Sequence, residues 1–156
     1  MSKTNVWVTS DVKMSDFIVE VDARIPDDAD GHCNSGLAFR CVGEKCKPKG
    51  YQCEIDGGNP GKDGGCYGIG LGGWLYPTAA TNKEHQARIK EAIKPKEWNT
   101  YRVHCEGDRI RIFVNGKLIT DITNSKSLKG YFGIQHHGRG GTMRFRNIRV
   151  KNLSKK

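Results

Sequence analysis

Apolar and polar residues alternate with a period of two along most of this chain, the pattern of strands that bury one face. Phe17, Val19, Val21 and Ala23 fall on one side, and Ile18, Glu20, Asp22 and Arg24 on the other. Leu37, Phe39 and Cys41 oppose Ala38 and Arg40, and Tyr51, Cys53 and Ile55 oppose Gln52, Glu54 and Asp56. The pattern continues through Tyr101, Val103 and Cys105, then Ile110, Ile112 and Val114, with a return strand over 118–122. Strands are also predicted over 66–71, 131–137 and 143–153. Turn residues separate these runs: an acidic turn at 26–31, a charged loop at 42–49 and a Gly, Asn, Pro and Asp loop at 57–65. Asn115-Gly116 is the strongest hairpin signal, a type I′ turn. Only residues 78–94 have helix-like composition, and they read as a long loop with one short helix. Short strands with turns about every 8–12 residues predict an all-β, antiparallel two-sheet jelly-roll sandwich with at most one short helix. It reads as a single domain with a core over about 6–153 and a short basic C-terminal tail.

Parity also says which polar side chains share a face. With each apolar set turned inward, Arg40, Gln52 and Glu54 stand on outer faces, and so do Gln135 and His137, because Phe132 and Ile134 point in. Arg, Gln, Glu, Gln and His along a groove suit a polyhydroxylated ligand, which planar amides, carboxylates and guanidinium groups hold through paired hydrogen bonds. Trp74 and Tyr76, beside Gly72 and Gly73, offer an aromatic platform. The bland readings are specific too. Arg40 and Glu54 could form a cross-strand ion pair, Glu20 and Asp22 read as solvated, and His136 shares parity with the core. Trp7 and Trp98 head apolar strands and are expected in the core.

The net charge of +9 raises nucleic acid as a partner, but the basic residues are spread out and dense only over 144–156. With no zinc-finger spacing, RNA-binding signature or basic helix, nucleic acid is not expected. Neither is a membrane, since no apolar run approaches a spanning length. Serine-triad order, a Walker loop and H-E-x-x-H are missing, and the glycines at 65–73 lead into no helix. No cofactor is predicted. The run Asp27-Asp28-Ala29-Asp30 offers ligands to a divalent cation but lacks EF-hand spacing and reads as a solvated turn. Six cysteines, at 33, 41, 46, 53, 66 and 105, suggest disulfides and an oxidising compartment. A bridge among Cys41, Cys46 and Cys53 is the favoured pairing, although one or two bridges with free thiols also fit. No signal peptide is legible, so the sequence reads as that of a mature domain.

Seven motifs in order carry a resemblance. They are Asn34-Ser35-Gly36-Leu37-Ala38-Phe39-Arg40, Gly50-Tyr51-Gln52-Cys53-Glu54-Ile55, Gly72-Gly73-Trp74-Leu75, Lys94-Pro95-Lys96-Glu97-Trp98-Asn99, Val114-Asn115-Gly116-Lys117, Gly133-Ile134-Gln135-His136-His137-Gly138 and Phe145-Arg146-Asn147-Ile148. Over residues 6–153 the chain resembles the 3-keto-disaccharide hydrolase-like domain, of concanavalin A-like jelly-roll fold. The resemblance implies a secreted, periplasmic or cell-surface sugar-active domain acting on an oligosaccharide or polysaccharide. It also implies cleavage of glycosides carrying a ketone at C3. By motif position, Glu54 or His137 is the base or acid, Arg40 holds the oxyanion, and Gln52, Gln135 and His136 orient the sugar beside Trp74 and Tyr76. A non-catalytic carbohydrate-binding domain of a larger extracellular protein is the main alternative. A structural or assembly domain is the second, because one fold serves all three.

Overall fold

The computed structural model describes residues 5–25, 33–57, 61–138 and 141–154. The acidic turn at 26–31, with the candidate cation ligands in it, lies outside the described residues, as does His32. In chain order the elements are β1 (Val6–Met14), β2 (Phe17–Arg24), β3 (Asn34–Val42), β4 (Lys49–Asp56), β5 (Cys66–Ile69), β6 (Gly73–Tyr76), α1 (Asn82–Ala92), β7 (Asn99–Glu106), β8 (Arg109–Val114), β9 (Lys117–Thr123), β10 (Gly130–His136) and β11 (Arg144–Asn152). They form two antiparallel sheets, one ordered β1-β10-β3-β4-β5-β6 and the other β11-β2-β7-β8-β9. The jelly-roll sandwich and its one short helix are as the patterning predicts. No described helix is long and apolar enough to cross a membrane.

The core lies between the sheets. Phe17, Val19, Val21, Leu37, Phe39, Ile55, Val103, Ile110, Ile112 and Val114 meet there, each contributing about 1.5–3 kcal/mol on leaving water. Asn115 and Gly116 both have positive φ, 50° and 82°, which is the type I′ hairpin between β8 and β9. Helix α1 buries His85, Ile89 and Ala92 and covers one end of the core.

The outward face of the five-stranded sheet is a ladder of ion pairs. Glu20 meets Arg102 at 3.2 Å, Asp22 meets Arg146 at 3.5 Å, Glu106 meets Arg111 at 2.6 Å and Asp121 meets Arg109 at 2.6 Å. Part of the dense C-terminal basic run is thus matched to carboxylates of its own sheet. Trp98 stands on this side too, half-buried, with the Arg146 guanidinium 4.0 Å from its ring centroid. It is a cation–π surface contact rather than the core residue expected.

Two expectations fail at one place. Between Phe39 and Val42 the register of β3 against β4 slips by one residue, and the same residue is extra against β10. Arg40 occupies that bulge with φ 50°. Gly50 and Gly130 flank it, and a Cβ at Gly130 would stand 2.2 Å from the Cys41 carbonyl oxygen. The bulge reverses parity. Arg40 turns inward, is fully buried, and donates to the Ser15 carbonyl from Nε at 2.9 Å and Nη2 at 2.6 Å. Cys41 turns outward and packs with Ala38 and Tyr131.

The cysteines are corrected with it. No disulfide joins the described residues: Cys33, Cys41, Cys53, Cys66 and Cys105 are buried and Cys46 is exposed. Cys41 and Cys53 cannot bridge because they sit on opposite faces of their sheet. Cys53, Cys66 and Cys105 fill core positions as small apolar side chains, and burial raises all three thiols, Cys105 to about 12.

Candidate functional site

Strands β3 and β4 lose the alternation that marks the other strands. Their residues are buried on both faces from Ser35 to Cys41 and from Gly50 to Ile55. The cover on the outer side is a wall of loop and aromatic side chains, and beneath it lies a cleft of about 560 Å³. Gln52, Glu54, Gln135 and Asn34 line its floor. Trp7 from β1, Tyr67 from β5, Trp74 from β6, and Cys46, Lys47 and Pro48 from the charged loop are also in the lining, with His137 exposed at the rim.

The floor is one hydrogen-bonded row across three strands. Register places Gln135 beside Gly36 and Gly36 beside Glu54. Gln52 lies over Gly36: its Nε2 donates to Glu54 Oε2 at 3.0 Å and to Gln135 Oε1 at 3.0 Å. Only glycine permits this, since a Cβ on Gly36 would sit 2.4 Å from the Gln52 amide. Asn34 Nδ2 donates to the other oxygen, Glu54 Oε1. Glu54 is therefore oriented from both sides while its residue is 5% exposed.

Burial pushes the Glu54 carboxyl up to about 7. The Asp56 carboxylate adds to the rise, while the amides of Asn34 and Gln52 and the Lys62 charge oppose it. A carboxyl balanced near neutrality inside a cleft can take up and give back a proton at physiological pH. Behind it, in the core, Asp63 is also pushed up to about 7 by burial; it accepts from Tyr101 Oη at 2.5 Å and from the Asp56 amide at 3.0 Å. Among the described residues, no three His, Cys, Asp or Glu side chains gather to hold a metal ion.

The structure brings together Glu54, Gln52, Gln135, His137 and Trp74 of the residues expected from sequence. It does not bring Arg40, whose guanidinium lies on the core side of the sheet, 6.0 Å from the Phe17 ring centroid. His136 is half-buried between β1 and β3 and accepts from the Gly138 amide at 3.4 Å, outside the cleft lining. Tyr76 is half-buried against His85, with ring centroids 5.5 Å apart, and is likewise outside the lining. Asn34, Tyr67 and Trp7 are the functional candidates that sequence reasoning missed. Asn34 shares parity with Gly36, and Tyr67 alternates with core Cys66, so a strict reading of faces could have found both. Trp7 stands on the outer side of an edge strand, packed on the Ala38–Cys41–Tyr131 cluster.

Comparison with known proteins agrees on fold. Carbohydrate-binding module CBM66 from Bacillus subtilis superimposes with a TM-score of 0.66 at 20% identity, covering 97% of this chain and 84% of that one. A protein from Parabacteroides distasonis, named as a predicted glycosyl hydrolase, gives 0.64 at 23% identity, with the same coverage of 97% and 84%. Sheep galectin-11, in complex with glycerol, gives 0.55 at 13% identity, covering 97% of this chain and all of that one. No curated protein sequence matches the chain. A family model matches residues 1–151. This carbohydrate-related jelly roll belongs to the family of the 3-keto-alpha-glucoside-1,2-lyase-like domain.

Proposed function

We propose that the cleft takes a glycoside bearing a ketone at C3 and that Glu54 removes its C2 proton. The observation that carries this reading is the buried Glu54 carboxyl, held between two amides and balanced near neutrality. A C3 ketone acidifies the C2–H bond. Glu54 takes that proton, and the electron pair is held as the enolate. When the C3 carbonyl reforms, a C1–C2 double bond forms and the C1–oxygen bond breaks. The departing oxygen takes a proton, and water then adds across the double bond to give the free 3-keto sugar.

Arg40 has no part in this, so other donors must serve the enolate and the leaving group. Asn34 has a second amide N–H beyond the one given to Glu54, and His137 stands unburied at the rim. His137 is assigned to the leaving oxygen, where a solvent-linked proton donor is needed. Gln135 and Gln52 hold sugar hydroxyls, and Trp74, Tyr67 and Trp7 offer apolar ring faces to the C–H side of a sugar.

A second reading has its own support. Three aromatic side chains around an open cleft also suit a domain that only binds glycans, and a carbohydrate-binding module shares the fold. Incubation with a 3-keto-glucoside and its unoxidised parent, followed by chromatography, separates the two. Release from the keto compound alone is expected. No release, together with glycan binding on an array, would leave the binding domain. A secreted or periplasmic location is supported by the family and not by disulfides, since none joins the described residues.

A further inference from the structure

Trp74 is a wall of two clefts. It lines the cleft described above and also a second, of about 670 Å³, with Lys62, Pro77, Thr78, Ala79 and Asn82. The indole is fixed in place. It packs on the backbone of Gly65, where a Cβ would stand 3.1 Å from Trp74 Cζ3, and Tyr67 meets its ring edge-on at 5.3 Å. The two clefts adjoin at Trp74.

The second cleft has a different chemistry. The Lys62 ammonium lies over the Trp74 ring, 4.0 Å from its centroid. It takes a ring face on which a neutral pyranose would otherwise stack. No carboxylate among the described residues lies within ion-pair distance of the Lys62 ammonium, and none lines this cleft. Every other lining side chain is neutral. Asn82 also lines it, and its side-chain oxygen is buried without a hydrogen-bond partner, ready to accept from a ligand hydroxyl. A half-buried cation with no ion-pair partner among the described residues, next to an unused acceptor, matches a sugar that carries both an anionic group and hydroxyls.

We propose that the second cleft is a subsite for an anionic sugar residue, a uronate or a sulfate ester, whose charge pairs with Lys62. The proposal rests on the reading of the first cleft as a glycan site and extends it to a substrate class.

The test is a glycan array holding gluco-, galacto- and manno-oligosaccharides as neutral, uronate and sulfated forms of each backbone. It is probed with the wild-type protein, Lys62→Gln, Lys62→Arg and Lys90→Gln, which removes an exposed charge elsewhere on α1. A charge-assisted contact predicts at least about tenfold tighter binding of an acidic form than of its neutral match at low salt, shrinking as salt rises. Lys62→Gln should abolish that preference, Lys62→Arg should keep it, and Lys90→Gln should leave it intact. Whether uronate or sulfate wins identifies the substituent. Equal binding of neutral and acidic forms, or equal losses in Lys62→Gln and Lys90→Gln, would overturn the subsite. Turnover of a 3-keto-glucoside is measured alongside. Turnover without acid preference sinks this proposal and leaves the first cleft's reading standing, whereas neither turnover nor binding sinks both.

Discussion

Replacing Asn34 by Ala removes the amide that donates to Glu54 Oε1 and leaves the carboxyl with Gln52 alone. That amide stabilises the ionised form against burial, so its loss must raise the proton affinity of Glu54 further. A hydrogen bond to a charged group is worth about 1.5–3 kcal/mol. Partial replacement by water leaves a rise of about one pK unit. Because the carboxylate is the base, kcat/KM should climb with pH through the Glu54 midpoint, at about 7 in the wild-type protein. At pH 6 about one-eleventh of the wild-type sites are ionised, against about one-hundredth in the variant. Asn34→Ala should therefore be roughly ninefold slower at pH 6, beyond any loss of plateau, and approach its plateau only above about pH 9. The assay is sugar release from a 3-keto-glucoside, followed by chromatography from pH 5 to 9. A wild-type midpoint in the ordinary carboxylate range, or the same midpoint in both proteins, would refute the reasoning.

Three other outcomes follow from the same geometry. Arg40→Met leaves the Ser15 carbonyl without its buried donor and should destabilise by about 3 kcal/mol, lowering Tm by roughly 6–12 °C while kcat per folded molecule is unchanged; a loss of turnover without loss of stability would return Arg40 to the site. Gly36→Ala drives a Cβ into the flexible Gln52 side chain, so activity should fall at least about tenfold for a stability loss of about 1–3 kcal/mol, read by urea unfolding beside the rate assay. Asp63 fits the fold protonated, so the stability tied to it is complete below the unfolded carboxylate value and is lost as pH rises to about 7. Its share is about 3 kcal/mol between pH 5 and pH 8, and Asp63→Asn, which keeps the acceptor for Tyr101 and the Asp56 amide, should flatten that decline in urea titrations.

The strands, the hairpin at Asn115-Gly116 and most of the cleft floor were legible because burial of one face imposes a period that the sequence must display. Glu54, Gln52, Gln135 and His137 follow from that period alone. Arg40 does not, because a bulge inserts one residue and inverts everything beyond it. Its traces are Gly50 and Gly130, which make room for the bulge from two other strands and carry no local signal. The cysteines misled for a related reason. An even count resembles a disulfide framework, but Cys53, Cys66 and Cys105 each sit at inward parity, where a small apolar side chain is all the core requires. Trp7 belongs to an edge strand whose outer side closes the cleft, and heading an apolar run does not reveal which side of a sheet will be covered.

The central claim is that Glu54 takes the C2 proton. It is tested most directly by running the reaction on a 3-keto-glucoside in deuterated water and reading C2 of the released sugar by NMR, with an enzyme-free control. The account predicts deuterium at C2 with the wild-type protein, and a rate lower by about 10²–10⁴ in Glu54→Gln. Release of a sugar that keeps its original C2 proton, or undiminished exchange in Glu54→Gln, would contradict it.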